Sequence, residues 1–183
     1  MRSVYILLTR TNTLFARAIH RITGDSYTHA ALGMDRDLHK LYSFGRRYSY
    51  FMLPGGLIRE NIHTGVYGRN GQAPAVLCEI QVSDAVYGKI QKTLSDMMRN
   101  RKMYHYSIVG AWACYFNIAC RRRRHFFCSQ FVAEVIRQSG ALRLPKDPSL
   151  MMPDDFLRLP EAETVYSGTL GAIRDPGVKQ AVS

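Results

Sequence analysis

Two strand-like runs separated by a three-residue polar turn constrain the fold of this 183-residue chain more than any other feature. The runs SYTHAALGM and LHKLYSFG flank Asp-Arg-Asp at positions 35–37. A connection this short joins antiparallel neighbours, because a parallel pair needs a crossover of roughly a dozen residues or more. The sequence therefore predicts an antiparallel hairpin.

The rest of the chain predicts more strands and several helices. The runs SVYILLTR, LIRENI and AVLCEIQVS have the composition or alternation of strands. Helical spacing marks four segments: NTLFARAIHRITG, Val86 to about Arg101, SIVGAWACYFNI, and Cys128 to a glycine cap at Gly140. We expect the apolar SIVGAWACYFNI to be buried. The glycine-rich HTGVYGRNGQAP predicts a surface loop.

These elements predict an α+β fold in which a small antiparallel sheet or half-barrel packs against helices. The chain is long enough for one domain with a substantial core, so we expect a single domain over 1–183. Its last part, 141–183, is punctuated by prolines and predicts a tail that wraps the surface.

A net charge of +11 favours anionic partners. The dense basic run is Arg121–Arg124, which a solvated loop also explains. Aromatic residues do not interleave with it as a stacking platform for nucleic acid requires, so no specific nucleic acid is expected. An anionic polymer or a membrane surface suits this charge.

No segment of the sequence has the length of a signal-peptide core or a membrane span. The apolar run Val4–Leu8 is too short for the former, and no window approaches the ~18 apolar residues of the latter. We therefore expect a cytoplasmic protein. Its four cysteines (Cys78, Cys114, Cys120 and Cys128) have no zinc-like spacing, so no metal or other cofactor is expected.

Cys128 is the cysteine whose position suits chemistry. The apolar residues at 131, 132, 135 and 136 place it on the buried stripe of a helix, in the first turn, where an inert core thiol is one interpretation. The other interpretation is a nucleophile, because the N–H groups and partial positive charge of a helix N-terminus favour a thiolate and can stabilise an oxyanion. The segment alone leaves both open.

His29 is the candidate base, because it is polar within an otherwise apolar strand, although a satisfied core histidine has the same pattern. If the turn is 35–37, Met34 pairs with Leu38 and His29 lies opposite Ser43; another turn length places Tyr42 there. A hydroxyl at that position can accept the imidazole N–H and fix the tautomer. A strand-edge serine with no catalytic role is the alternative. The histidines interpreted as surface or structural are His20, His63, His105 and His125.

Four short motifs, in this order, resemble a known family. They are Thr28–Ala31, Tyr104–Tyr106, Cys128–Val132 and Pro153–Phe156. In these motifs the chain is similar to the circularly permuted papain-like thiol hydrolases of the NlpC-type superfamily, in their YiiX-like branch, which are distant relatives of the lecithin:retinol acyltransferases. The resemblance covers roughly residues 3 to 170 and has the histidine before the nucleophile, as that branch requires.

The resemblance implies a permuted papain-like fold and a catalytic set of Cys128, His29 and Ser43. The branch often has an acidic residue on the strand after the histidine, where this chain has LYSFG. Alternative residues that could orient the histidine are therefore His39 and Glu60, the latter if the chain folds back. Residues assigned to the oxyanion or the substrate are Tyr104, Tyr106, Tyr42 and Ser129.

The implied function is a cysteine hydrolase of the amidase or peptidase type, which acts through an acyl-thioester on a peptide, isopeptide or lipid-ester substrate. The first alternative is a lipid acyltransferase or phospholipase on the same fold. The second is a non-catalytic basic binding module.

Overall fold

Residues 1–10, 26–46 and 55–174 are described by a computed structural model. The strands are β1 (Arg2–Thr9), β2 (His29–Gly33), β3 (Leu41–Arg46), β4 (Gly55–Glu60), β5 (Pro74–Val82), β6 (His105–Tyr106), β7 (His125–Phe126) and β8 (Glu163–Thr169). Six of them form one sheet in the order β4-β3-β2-β1-β5-β8, and every neighbouring pair is antiparallel. The short β6 and β7 form a separate parallel pair.

Four α-helices accompany the sheet in the described residues: α1 (Gly65–Arg69), α2 (Asp84–Arg99), α3 (Ile108–Tyr115) and α4 (Cys128–Ser139). Short 3-10 helices lie at Arg101–Met103, Pro148–Leu150, Pro153–Arg158 and Ala172–Arg174. The α+β class predicted from the sequence is confirmed. Within the described residues, no helix has the length and apolar character needed to cross a membrane.

Both faces of the sheet are buried, which explains why its central strands are almost wholly apolar. Along β1, Val4, Ile6 and Leu8 belong to the core that α4 covers, whereas Tyr5 and Leu7 belong to the core on the other face, with α1. This alternation follows from the two-residue period of a strand. Because α4 packs on β2 and β3, its first turn lies beside the strand that carries His29.

The hairpin of β2 and β3 has a longer turn than Asp35–Asp37. The Met34 N–H donates to the Lys40 carbonyl at 3.0 Å, and Leu32 pairs with Tyr42. The predicted pairing of Met34 with Leu38 is therefore wrong by two residues. Asp35 caps this turn with its carboxylate, which accepts the N–H groups of residues 39 and 40.

Three other expectations need correction. The glycine-rich segment expected to be a loop contains helix α1, whose Tyr67 is buried. The tail is not only a wrapping segment, since Glu163–Thr169 pairs with β5 as an edge strand. Helix α3 is not well buried, because its bulky apolar side chains face outward. The helix predicted over NTLFARAIHRITG lies outside the described residues.

Gly140 ends α4 in a left-handed conformation with φ of 74°. An added Cβ would meet nothing within 4 Å, so a substitution tests backbone strain alone. Gly140→Ala should lower the free energy of unfolding by about 1–2 kcal/mol. Gly140→Asn should cost less, because asparagine tolerates this conformation. Urea denaturation measures both.

Gly88 is the matched control, because it lies within α2 and an added Cβ there also meets open space. Gly88→Ala should stabilise the protein by about 0.5–1 kcal/mol, since alanine loses less backbone entropy in a helix. Stabilisation by Gly140→Ala as well would contradict the assigned cap.

Candidate active site

Cys128 is the first residue of α4 and is 6% exposed. Its N-cap, Phe127, provides no side-chain hydrogen bond, so the N–H groups of the first turn are not capped by that residue. The backbone N–H groups of Ser129 and Ala30 both act on the Cys128 sulfur. The helix start and strand β2 therefore each supply a backbone donor that stabilises a thiolate.

His29 lies at the beginning of β2, and its imidazole hydrogen-bonds to Cys128. Its Nε2 lies 3.0 Å from Glu60 Oε1. Because Nε2 is occupied by the carboxylate, Nδ1 is the nitrogen left for the sulfur. The three side chains thus form a continuous Cys–His–Glu arrangement in which each member contacts the next.

Glu60, the last residue of β4, receives further support. The Ser43 hydroxyl donates to Glu60 Oε1, and the nearby Tyr67 hydroxyl also lowers the pKa of this carboxylate. The Tyr67 ring lies 6.2 Å from the His29 ring. The side chains of His29 and Glu60 are only 15% and 10% exposed, so water screens their interaction weakly.

The pKa values of this cluster are displaced in the directions that favour an ion pair. Burial would raise the pKa of the Cys128 thiol, but the hydrogen bond and charge of His29 and the two backbone N–H groups outweigh burial and lower it. Burial would lower the pKa of His29, but the Glu60 charge and the hydrogen bonds with Cys128 and Glu60 raise it to about 10. For Glu60, burial is likewise outweighed, mainly by the His29 charge, and its pKa is lowered. These directions favour a thiolate–imidazolium pair over a neutral thiol and a neutral imidazole.

The structure changes the assignment of the residue that orients His29. Ser43 does not take that position, because the observed register places Gly45 level with His29 when the pairing is continued along the strands. An added Cβ on Gly45 would lie 4.0 Å from His29 Cε1. Ser43 instead contacts Glu60, the residue that in turn contacts His29.

Two other candidates lie away from the site. His39 is on the turn before β3, with 74% of its side chain exposed and its Nδ1 3.7 Å from Asp35. Tyr42 packs with the core on the opposite face of β3 from Ser43, where it lines a cavity of about 280 Å³. Neither residue is placed to orient His29.

The two tyrosines before α3 differ in their relation to the sulfur. Burial, and then the negative charge of Cys128, raise the pKa of Tyr106, which places its hydroxyl within the electrostatic environment of the thiolate. The Tyr104 ring packs at 6.3 Å from both Phe44 and Phe126. Of the two, Tyr106 is therefore the one that the charge of the sulfur affects.

Tyr67 and Ala30 belong to the site and were not predicted. Tyr67 lies in the segment that its glycines mark as a loop, and its one sequence signal is an aromatic residue among small and polar neighbours. Ala30 contributes only its backbone N–H, which no side-chain pattern can indicate. Among the described residues, no three His, Cys, Asp or Glu side chains are grouped to hold a metal ion.

Comparisons of this chain with known protein families, with curated proteins and with solved structures give no significant match.

Proposed function

We propose that this protein is a thiol hydrolase or acyltransferase that attacks an amide or ester carbonyl with Cys128. The observation that carries the proposal is the contact sequence Cys128–His29–Glu60 at the start of a helix. A nucleophile, a base beside it and a carboxylate that orients the base are the three groups that acyl transfer needs. An inert core thiol needs neither an imidazole nor a carboxylate.

In the proposed reaction, the Cys128 thiolate forms a bond to the carbonyl carbon, and the π electrons move to the oxygen. The backbone N–H of Cys128 and the Tyr106 hydroxyl are the donors proposed for this oxyanion. When the tetrahedral intermediate collapses, the bond to the leaving group breaks and His29 gives that group its proton. Water or another nucleophile then attacks the thioester carbonyl while neutral His29 takes its proton. The carbon–sulfur bond breaks, the acylated product leaves, and the Cys128 thiolate is restored beside the imidazolium.

The arrangement also supports a circularly permuted papain-like fold as a proposal. The histidine strand precedes the nucleophile helix in the chain, and that helix packs on an antiparallel sheet. Glu60, at the end of β4, takes the acidic position of the triad. The substrate class proposed is therefore a peptide-like amide or an ester, with the acceptor deciding between hydrolysis and transfer.

Alkylation by iodoacetamide as a function of pH tests the ion pair. The pKa of Cys128 lies below its ordinary value of 9.0, so the thiolate persists as pH falls until that lowered pKa is passed. We therefore expect the midpoint of the pH dependence of the alkylation rate to lie below pH 9.0. Peptide mapping by mass spectrometry separates Cys128 from the half-buried Cys120.

His29→Gln provides the control for this experiment, because it removes the interaction that lowers the pKa most. In this variant burial prevails, and the midpoint for Cys128 should move toward higher pH. Equal midpoints in the wild type and in His29→Gln would contradict the proposal. Faster alkylation of Cys120 than of Cys128 at mildly acidic pH would do so as well.

A further inference from the structure

Helix α3 and the three residues that follow it expose an apolar ridge. We define this ridge as Val109, Trp112, Phe116 and Ile118, whose exposed fractions are 59%, 37%, 67% and 60%. Positions 109, 112 and 116 have the three- and four-residue spacing of one helix face. Four bulky apolar side chains together on a surface indicate an interaction site rather than scattered exposure.

The fold holds this ridge outward through specific local features. The inner face of α3 carries small side chains, Gly110 and Cys114, which are buried. Asn117 adopts a φ of 56°, and the Ile118 N–H donates to the Ala113 carbonyl at 2.8 Å. This hydrogen bond closes the helix end and fixes Ile118 beside Phe116. Trp112 and Phe116 are therefore at the surface, whereas the small Gly110 and Cys114 pack inward.

Cationic side chains follow the ridge directly. Arg121, Arg122 and Arg123 are all exposed. Arg122 is four residues beyond Ile118, so their Cα atoms are within about 14 Å of each other. An exposed apolar strip beside arginines has the two components by which amphipathic segments bind an anionic bilayer.

We propose that this surface docks the protein on an anionic lipid membrane, with the ridge inserted among the headgroups and Arg122 and Arg123 on the lipid phosphates. Trp112 is suited to that depth, since tryptophan prefers the membrane–water interface. Charge complementarity favours this partner over a second copy of the chain, because two proteins of net charge +11 repel each other.

Docking in this way would bring the candidate active site close to the bilayer. Tyr106 lies two residues before α3 and within the electrostatic environment of Cys128. Helix α3 also packs near the nucleophile helix, since a Cβ added to Gly110 would lie 3.5 Å from the Phe127 ring. The docking itself does not depend on catalysis, so it can be tested separately.

Trp112 is the one tryptophan of the chain, which makes its fluorescence a direct reporter of the ridge. The purified full chain is mixed with phosphatidylcholine vesicles that contain or lack phosphatidylglycerol. With anionic vesicles, we expect the Trp112 emission to shift to the blue and brominated acyl chains to quench it. Binding should be at least about tenfold weaker to pure phosphatidylcholine and should weaken with added salt.

Paired variants separate the two components of the surface. Phe116→Asn with Ile118→Asn should weaken vesicle binding at least about tenfold, because the inserted apolar area is lost. Arg122→Gln with Arg123→Gln should weaken it roughly 25-fold, at about fivefold for each arginine. The matched control removes two exposed lysines of α2: Lys89→Gln with Lys92→Gln should change binding by less than about twofold.

The Cys128→Ala variant should bind vesicles as the wild type does, so loss of catalysis and loss of docking give different results. The absence of a blue shift and of quenching with anionic vesicles would overturn the proposal. Equal weakening by the arginine and lysine pairs would also overturn it. So would a dimer in sedimentation experiments that Phe116→Asn with Ile118→Asn dissociates, since the ridge would then be covered by a second copy.

Discussion

Cys128→Ala is expected to lower the turnover of an activated ester such as p-nitrophenyl acetate by at least about 10⁴-fold, because it removes the atom that carries the acyl group. Cys128→Ser should also lose most of the activity, since a serine hydroxyl is far less ionised than this thiol at neutral pH. Mass spectrometry of the intact protein should detect an acyl adduct on the wild type and none on Cys128→Ala.

Cys120→Ala is the matched control for this measurement. Cys120 is half-buried and lies outside the Cys–His–Glu contacts, so its replacement should leave turnover within about twofold. Circular dichroism and thermal unfolding of Cys128→Ala check that the helix and the core persist. Full turnover by a folded Cys128→Ala protein would refute the assignment of the nucleophile.

Glu60→Gln is expected to produce the second large effect, a loss of about 10³–10⁴-fold in kcat with a smaller change in KM. The amide keeps the size of the side chain but removes the negative charge that raises the pKa of His29. The His29 pKa should then fall and that of Cys128 should rise, because a neutral imidazole no longer stabilises the thiolate. The alkylation midpoint of Cys128 should therefore move to higher pH in Glu60→Gln.

Two further variants separate this role from general damage. Ser43→Ala removes a hydroxyl that donates to Glu60 and leaves the Glu60–His29 contact, so we expect a loss of only about tenfold. Glu79→Gln is a matched substitution, since Glu79 on β5 also accepts from hydroxyls, those of Ser3 and Tyr5, and lies outside the site. An effect of Ser43→Ala as large as that of Glu60→Gln would contradict the separation of their roles, because the Glu60–His29 contact alone would then not be sufficient to orient His29.

Local patterns in the sequence were sufficient to predict the class of fold and to nominate two residues of the candidate site. The apolar runs predicted the strands of the hairpin, and the three- and four-residue spacing after Cys128 predicted a helix that the structure places at Cys128–Ser139. Both patterns are local, because burial on one side of a strand or helix repeats every few residues. His29 and Cys128 could be placed on their elements for the same reason.

The third member of the site depends on pairing between distant parts of the chain. Glu60 is 31 residues from His29, and their contact depends on how β2, β3 and β4 align. The turn after Met34 is longer than its three polar residues suggest, because Asp35 binds backbone N–H groups beyond them. A change of two residues in that register is enough to remove Ser43 from the position opposite His29.

The outward orientation of α3 was likewise decided by the tertiary structure alone. A segment that is apolar on all sides has no polar face, so its spacing cannot tell which side meets the core. Here the small Gly110 and Cys114 fit against the protein, and the larger Trp112 and Phe116 are left at the surface. The sequence by itself determined the strand that carries the imidazole and the helix that carries the sulfur. Only long-range packing determined which carboxylate meets the imidazole and which apolar face meets the solvent, because both depend on contacts between segments far apart in the chain.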